Sequence, residues 1–238
     1  MAEIILQIGD CRKLMKELKD EGIDLIIADY PFKTKNYLDF VRETTDEFYR
    51  ILKMSGNLVV INNPANFYKT LHFFNSKFKF RSGVPLIRMN SFKSFGRQLA
   101  FQHNYLMFLC KENSNKWYNP NGFSDVWYDI LYKTGYRTIG NIFHPDSIPE
   151  ELVSRCIQLT SIKGDWVLDP FAGAGTVGKV CRDLDRNCIM FEIDEKWKSV
   201  IKQRCELNYK KLGENEQRYI KITSERIFKN SKAIEDFA

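Results

Sequence analysis

The sequence predicts an α/β fold built on a doubly wound, mostly parallel sheet. Ile23-Asp24-Leu25-Ile26-Ile27-Ala28 is an apolar run that stops at the turn-forming Asp29-Tyr30-Pro31-Phe32. Asp165-Trp166-Val167-Leu168 is a second such run, and it stops at Asp169-Pro170-Phe171-Ala172-Gly173-Ala174-Gly175. Strands without alternating polarity suit the middle of a parallel sheet, and further strands alternate with segments of helical spacing. In such sheets ligands bind outside the carboxyl ends of the strands. Both tips are therefore candidate parts of one site.

The elements follow in order. Glu3 to Ile8 reads as a strand ending at Gly9-Asp10-Cys11, and Cys11 to Lys19 places Leu14, Met15 and Leu18 on one helical face. After the strand Ile23 to Ala28, Leu38 to Met54 is a helix closed by Ser55-Gly56-Asn57. Leu58 to Ile61 is a strand, and Ala65 to Phe74 a helix. From Lys77 to about Asn141 the pattern loosens, and only Tyr105 to Leu109 reads cleanly as a strand. Ile148 to Thr160 is a helix with Pro149 in its first turn. The strand at Trp166 is followed by a helix from Thr176 to Leu184. Asn187 to Phe191 is a strand ending in Glu192, and Glu195 to Leu212 is a long amphipathic helix. The charged tail after Gly213 has no assignment.

At 238 residues the chain suits a single domain, 1–238, with an insertion at 77–141. No apolar run reaches the roughly 18 residues of a membrane span. Met1-Ala2-Glu3-Ile4 has neither the basic start nor the cleavage site of a signal peptide. The expectation is a cytoplasmic protein. The six cysteines form no C-x-x-C pair and read as reduced thiols. His72, His103 and His144 have no ligand spacing, so no metal is expected.

The net charge is +6, but it is unevenly spread. Between Phe48 and Lys111 there is no Asp or Glu, while ten cations occur: Arg50, Lys53, Lys69, Lys77, Lys79, Arg81, Arg88, Lys93, Arg97 and Lys111. Such a segment repels itself unless something anionic faces it. Nucleic acid and a merely solvated basic face are both open readings.

Gly173-Ala174-Gly175-Thr176-Val177-Gly178 satisfies G-x-G-x-x-G between a strand and a helix. Glycines let a ligand approach the backbone, and the helix start offers free N–H groups. Glu192, at the end of the next strand, suits ribose hydroxyls. Val180 stands where a phosphate-binding loop needs Ser or Thr for magnesium, which argues against nucleotide hydrolysis. Asp169 beside the turn would repel a pyrophosphate, and the turn comes late for a nicotinamide enzyme. An acid there suits a ligand with an amino group and a sulfonium, namely S-adenosylmethionine.

Asp169-Pro170-Phe171-Ala172-Gly173-Ala174-Gly175-Thr176 is similar to the cofactor motif of DNA amino-methyltransferases, and Asp29-Tyr30-Pro31-Phe32 resembles their catalytic D/S-P-P-Y/F tetrapeptide. Their order resembles the permuted beta group of prokaryotic restriction–modification systems. Gly9-Asp10, the segment from His144-Pro145 to Pro149, and Arg186-Asn187 before Glu192 are further matches. The resemblance covers roughly residues 4–65 and 99–205. Tyr30 departs from the usual proline, and Asn104 stands where glutamate is common after His103.

The resemblance implies a Rossmann-like S-adenosylmethionine-dependent methyltransferase fold with an inserted target-recognition region. It implies that Phe171, Gly173 and Gly175 shape the cofactor turn, with Asp169 near the amino-acid end, Glu192 at the ribose, Asp10 at the adenine and His144 on the segment leading in. The chemistry agrees. An exocyclic amine is a poor nucleophile because its lone pair is delocalised into the ring. Asp29 and the Tyr30 carbonyl can each accept one amine hydrogen and localise that pair. Pro31 carries the turn, and Phe32 offers a stacking face for a base extruded from the duplex. No cysteine follows a proline, so the nucleophile of a cytosine-C5 enzyme is absent.

The expected partner is double-stranded DNA, read by Arg81, Arg88, Lys93, Arg97 and Gln98 through phosphates or base edges. A homodimer is a further possibility, since relatives often form them. An acidic first position in the tetrapeptide leans toward adenine N6, with cytosine N4 the alternative. Two other readings stay open: a DNA-binding relative disabled by Tyr30, and a dinucleotide-dependent oxidoreductase.

Overall fold

The structure, a computed structural model, describes residues 2–31, 34–87, 103–112, 116–119, 122–130, 137–139, 142–144, 147–207 and 227–229. Its elements are β1 (Ile4–Ile8), α1 (Cys11–Leu14), β2 (Ile23–Asp29), α2 (Tyr37–Ile51), β3 (Leu52–Asn62), α3 (Pro64–Asn75), β4 (Lys79–Ile87), β5 (His103–Cys110), β6 (Arg137–Ile139), β7 (Ile142–His144), α4 (Glu150–Thr160), β8 (Trp166–Asp169), α5 (Thr176–Asp183), β9 (Asn187–Glu192) and α6 (Lys198–Arg204).

Seven strands form one sheet in the order β1-β9-β8-β2-β3-β5-β4, and β6 pairs with β7 separately. Neighbours from β1 through β3 are parallel, while β5 runs antiparallel to both β3 and β4. The middle strands bury both faces. Leu25 and Ile27 of β2 join Val59, Ile61, Leu152 and Val177 in one core, and Ile26 and Ala28 join Leu58, Val60, Phe48 and Val41 in the other. That is the reason the β2 sequence shows no alternation.

One seam organises the site. β2 and β8 lie side by side, with Ile26 opposite Leu168, although 142 residues separate them. From β2 the chain crosses through α2 to β3 on one side. From β8 it crosses through α5 to β9 on the other side. The two helices pack on opposite faces. This is a topological switch point, and a crevice opens where the two loops part.

The structure corrects several boundaries. α2 stops at Ile51 and β3 starts at once, so Ser55-Gly56-Asn57 lies within a strand rather than a turn. The helix expected over Cys11 to Lys19 is four residues of α1 and a 3-10 turn at Met15–Glu17. The helix expected over Glu195 to Leu212 is a 3-10 turn at Glu195–Trp197 followed by α6, which ends at Arg204 with Glu206 left-handed at φ 54°; residues 208–212 lie outside the described residues. β4 and β5, which lie within the insertion expected at 77–141, belong to the central sheet. The tail returns to the body: Ile227 and Phe228 are buried, Phe228 bridges Leu18, and the Lys19 N–H donates to the Ile227 carbonyl at 2.7 Å. All six cysteines are buried free thiols. Among the described residues, no helix is long and apolar enough to cross a membrane.

Five of the ten cations in the acid-free segment are paired inside the fold. Arg50 pairs with Asp20 and Glu47, Lys53 with Asp24, Lys77 with Asp46, Lys79 with Glu112, and Lys111 with Glu21. Every one of these acids lies outside the acid-free segment. Those five cations need no anionic partner from outside.

Candidate active site

The carboxyl ends of β1, β9, β8 and β2 lie side by side, and each presents a residue singled out from the sequence: Asp10, Glu192, Asp169 and Asp29. A cavity of about 470 Å³ sits over them, lined by Gly9, Asp10, Asp29, Tyr30, Pro31, Phe171, Gly173 and Glu192 among others. A cavity of about 30 Å³ adjoins it, lined by Asp29, Ser147, Asp169, Phe171, Gly173 and Thr176. Asp29, Phe171 and Gly173 line both. The two sequence tips therefore meet at one crevice.

The glycine turn is built as its residue types require. Gly173 and Gly175 are left-handed, at φ 53° and 77°, where a side chain is strained. The Gly175 N–H donates to the Ala172 carbonyl at 2.8 Å, and Gly175 opens α5. A Cβ on Gly175 would also meet Ile201 Cγ2 at 3.0 Å. Arg204, nearly buried, steadies the turn through the Ala174 carbonyl at 3.3 Å and Thr176 Oγ1 at 2.9 Å, and pairs with Glu150. Gly178 serves packing instead. A Cβ there would lie 2.4 Å from Met190 Sδ and 3.0 Å from Cys205 Sγ, and Met190 is fully buried. Gly178→Ala is expected to cost about 1–3 kcal/mol, the usual range for overpacking; urea unfolding checks it.

The acids differ in what already holds them. Asp169 is buried at the end of β8 and accepts the Phe171 N–H at 3.0 Å. Burial pushes its carboxyl up to about 7 against that hydrogen bond, and the Glu192 charge adds to the rise. Glu192 accepts the N–H groups of Gly173 at 2.8 Å and Asp194 at 2.9 Å, so it ties the turn to β9. Asp10 caps α1 by accepting the Arg12 N–H, and the Arg12 side chain grips both of its oxygens. That guanidinium holds the Asp10 carboxyl below its usual range. A carboxylate has about four acceptor positions, so each of these acids keeps capacity for a ligand.

A nucleotide-like cation fits this cavity by charge and by volume. Its Asp10, Asp29 and Glu192, and Asp169 in the adjoining cavity of about 30 Å³, gain from a nearby positive group. Among the described residues, no group of three His, Cys, Asp or Glu could hold a metal ion.

Phe32, Arg88, Lys93, Arg97 and Gln98 lie outside the described residues. His144 is in β7 opposite Arg137. Arg81 sits at the bulge between Phe80 and Ser82, its guanidinium 5.4 Å over the Trp117 ring. Its end of β4 pairs with Cys110, six residues and about 20 Å from Ile87 at the cavity edge of the sheet. Arg81 is therefore remote from the cavity. Arg12, Ser147, Thr176 and Arg204 were missed. Only the nearness of Arg12 to Asp10 was visible in sequence.

A family model described as DNA methylase matches residues 23–203, which take in both tips and the sheet between them. The chain belongs to this DNA methylase family. It is 30% identical over 244 residues to the type II methyltransferase M.BamHI of Bacillus amyloliquefaciens, covering 82% of this chain but 55% of that protein. It thus spans about half of that relative's length. Type II methyltransferase M.HpaI of Haemophilus parainfluenzae is 28% identical, covering 83% of this chain and 72% of the relative. Among solved structures, the PvuII DNA methyltransferase (cytosine-N4-specific) superposes with a TM-score of 0.75 at 16% identity, covering 95% of this chain and 93% of that one. The M1.HpyAVI–SAM complex does so at 0.68 and 20%, covering 85% and 99%. At these identities the superpositions establish the methylase's Rossmann-like fold.

Proposed function

We propose that this methylase transfers a methyl group from S-adenosylmethionine to an exocyclic amine of a base extruded from duplex DNA, adenine N6 in preference to cytosine N4. The observation that carries the reading is the shared lining of one crevice by Asp29 and the Gly173 turn. Phe171, Gly173, Gly175, Asp169, Glu192 and Asp10 would hold the cofactor, which supplies an electrophilic methyl when bound. Asp29, half-buried at the end of β2, accepts one amine hydrogen, and the Tyr30 carbonyl accepts the other. Both acceptors strengthen as positive charge develops on the nitrogen. The remaining rate comes from holding amine and methyl in line. The preference for adenine rests on Asp29 as the first residue of the tetrapeptide.

We assign recognition of DNA to residues 88–102, which carry Arg88, Lys93, Arg97 and Gln98 and no acid. Their flanks support this: Ile87 and His103 are register partners at the cavity edge of the sheet. This narrows the insertion expected at 77–141 within the single domain.

To test the reading, the chain is incubated with methyl-labelled S-adenosylmethionine and mixed duplex DNA, and the DNA is digested to nucleosides. Labelled N6-methyladenine is expected. N4-methylcytosine alone would reverse the base preference, and the absence of both would reject the activity.

Asp169 gives a pH signature. Its pKa in the ligand-free fold lies above the unfolded value of 3.8, at about 7, so its contribution to stability is fullest at low pH and falls between about pH 4 and 7. A cationic ligand favours the ionised form, so binding releases a proton. Affinity for S-adenosylmethionine is expected to rise as pH climbs toward 7, by up to about tenfold per pH unit. Calorimetric titrations from pH 5.5 to 8 check this, and Asp169→Asn should flatten the profile.

A further inference from the structure

Tyr30, the residue that departs from the family tetrapeptide, is held by three neighbouring elements. Tyr30 is 1% exposed. Its N–H donates to the Ile61 carbonyl at 3.3 Å, a bond that a proline cannot make, and so extends the β2–β3 ladder past Asp29. Its hydroxyl lies 2.7 Å from Thr44 Oγ1 on α2. The Thr44 proton is directed to the Phe40 carbonyl at 2.9 Å, which leaves the tyrosine as donor. The ring packs among Phe40, Phe48 and Phe74, and its centroid is 5.1 Å from that of Phe171 on the glycine turn.

We propose, building on the methyltransfer reading above, that the Tyr30 side chain is a positioning residue that aims Asp29 and the Tyr30 carbonyl at the target amine. Proline would restrict this backbone by fixing φ. Here the same backbone is fixed from three sides: by β3 through the N–H, by α2 through the hydroxyl, and by the cofactor turn through Phe171. Acceptor placement matters because an error of about 1 Å at a reacting pair can cost about a hundredfold in rate. A tyrosine in this position therefore does not disable the loop. It substitutes a packed anchor for a covalent ring.

The decisive variants are Tyr30→Phe and Thr44→Val, which remove one hydrogen bond, their double mutant, and Tyr30→Pro, which installs the family residue. Tyr30→Phe and Thr44→Val are each expected to lower kcat three- to tenfold, with KM for S-adenosylmethionine changed less than twofold. The double mutant should be no worse than the poorer single, because both remove the same bond. Tyr30→Pro is expected to lower kcat more than thirtyfold, since it loses the Ile61 bond and empties a ring-sized space. Wild-type kcat in Tyr30→Pro, or in both Tyr30→Phe and Thr44→Val, would overturn the proposal. So would a loss confined to KM for S-adenosylmethionine. Should Tyr30→Pro not fold, the other two variants decide.

A second readout does not depend on turnover. In cofactor-free protein, amide hydrogen exchange of the peptide spanning 26–31 should quicken at least tenfold at Tyr30 in Thr44→Val. Unchanged protection there also overturns the proposal. If the wild type transfers no methyl to DNA, the methyltransfer reading fails by itself, while the exchange result still reports whether the side chain anchors the loop.

Discussion

Asp29→Ala is expected to lower methyl transfer to DNA by about 10²–10³-fold, the usual cost of removing one aimed group that stabilises transition-state charge, while S-adenosylmethionine still binds. The reasoning rests on position. Asp29 is the last residue of β2, and its backbone is held in register with Ile61 of β3. It lines the crevice together with Phe171 and Gly173. The groups that hold the turn itself belong to other strands: the Gly173 N–H rests on Glu192, and the Phe171 N–H on Asp169. Deleting the β2 carboxylate leaves those bonds intact. Single-turnover kinetics with a calorimetric measurement of cofactor affinity separate the two effects. A variant that binds cofactor normally and transfers at the wild-type rate would remove Asp29 from the chemistry.

Asp24→Ala is expected to destabilise the fold by about 3 kcal/mol without touching the site. Asp24 is 2% exposed at the start of β2, about 16 Å from Asp29. It accepts Lys53 at 2.8 Å, Lys116 at 2.7 Å and the Trp166 N–H of β8 at 3.0 Å. It therefore fastens the opposite end of the seam that forms the crevice. Burial pushes its carboxyl up, but the hydrogen bonds from Lys116, Lys53 and Trp166 outweigh that and leave it below the usual value. Breaking a buried pair from one side costs about 3–5 kcal/mol. The lower figure applies because Lys53 is partly exposed and Lys116 keeps Asp165. With its folded pKa depressed, Asp24 contributes stability above about pH 3.8, and that contribution is lost as pH falls through the folded value. Urea unfolding at pH 7 should show the full loss, and at pH 3 a smaller one. Equal losses at both pH values would contradict the ion-pair account.

The parts of the molecule legible from sequence are those where local chemistry and tertiary role coincide. β2 and β8 are apolar because both faces are buried, and their tips are polar because they leave the sheet at its ligand-binding edge. The glycine turn announces itself because glycine adopts φ 53° and 77° without the strain a side chain brings. β4 was hidden for the converse reason. It is an edge strand with Gly83 and Pro85 in it, and of its nine residues only Val84 and Leu86 are buried; proline in a sheet is confined to such edges. Ser55-Gly56-Asn57 reads as a turn, yet it continues β3, with Gly56 fitted over Leu52. Half of the ten cations in the acid-free segment look unbalanced only along the chain. Its partners Asp20, Glu21, Asp24 and Glu112 are remote in sequence or beyond its ends, and charge pairing in space leaves no local trace. The distance of Arg81 from the cavity was hidden for the same reason, because sequence does not say which end of a strand lies at the ligand-binding edge. Tyr30 illustrates the limit most directly. By motif it was a departure, and only its packing against Phe40, Phe48, Phe74 and Phe171 shows what the departure does.

The measurement that tests the central claim most directly is modified-base sequencing of DNA from cells expressing the wild-type chain or Asp29→Ala. The account predicts methylated adenines in one sequence context with the wild type and none with the variant. Unmodified DNA in both, or equal methylation in both, would contradict it.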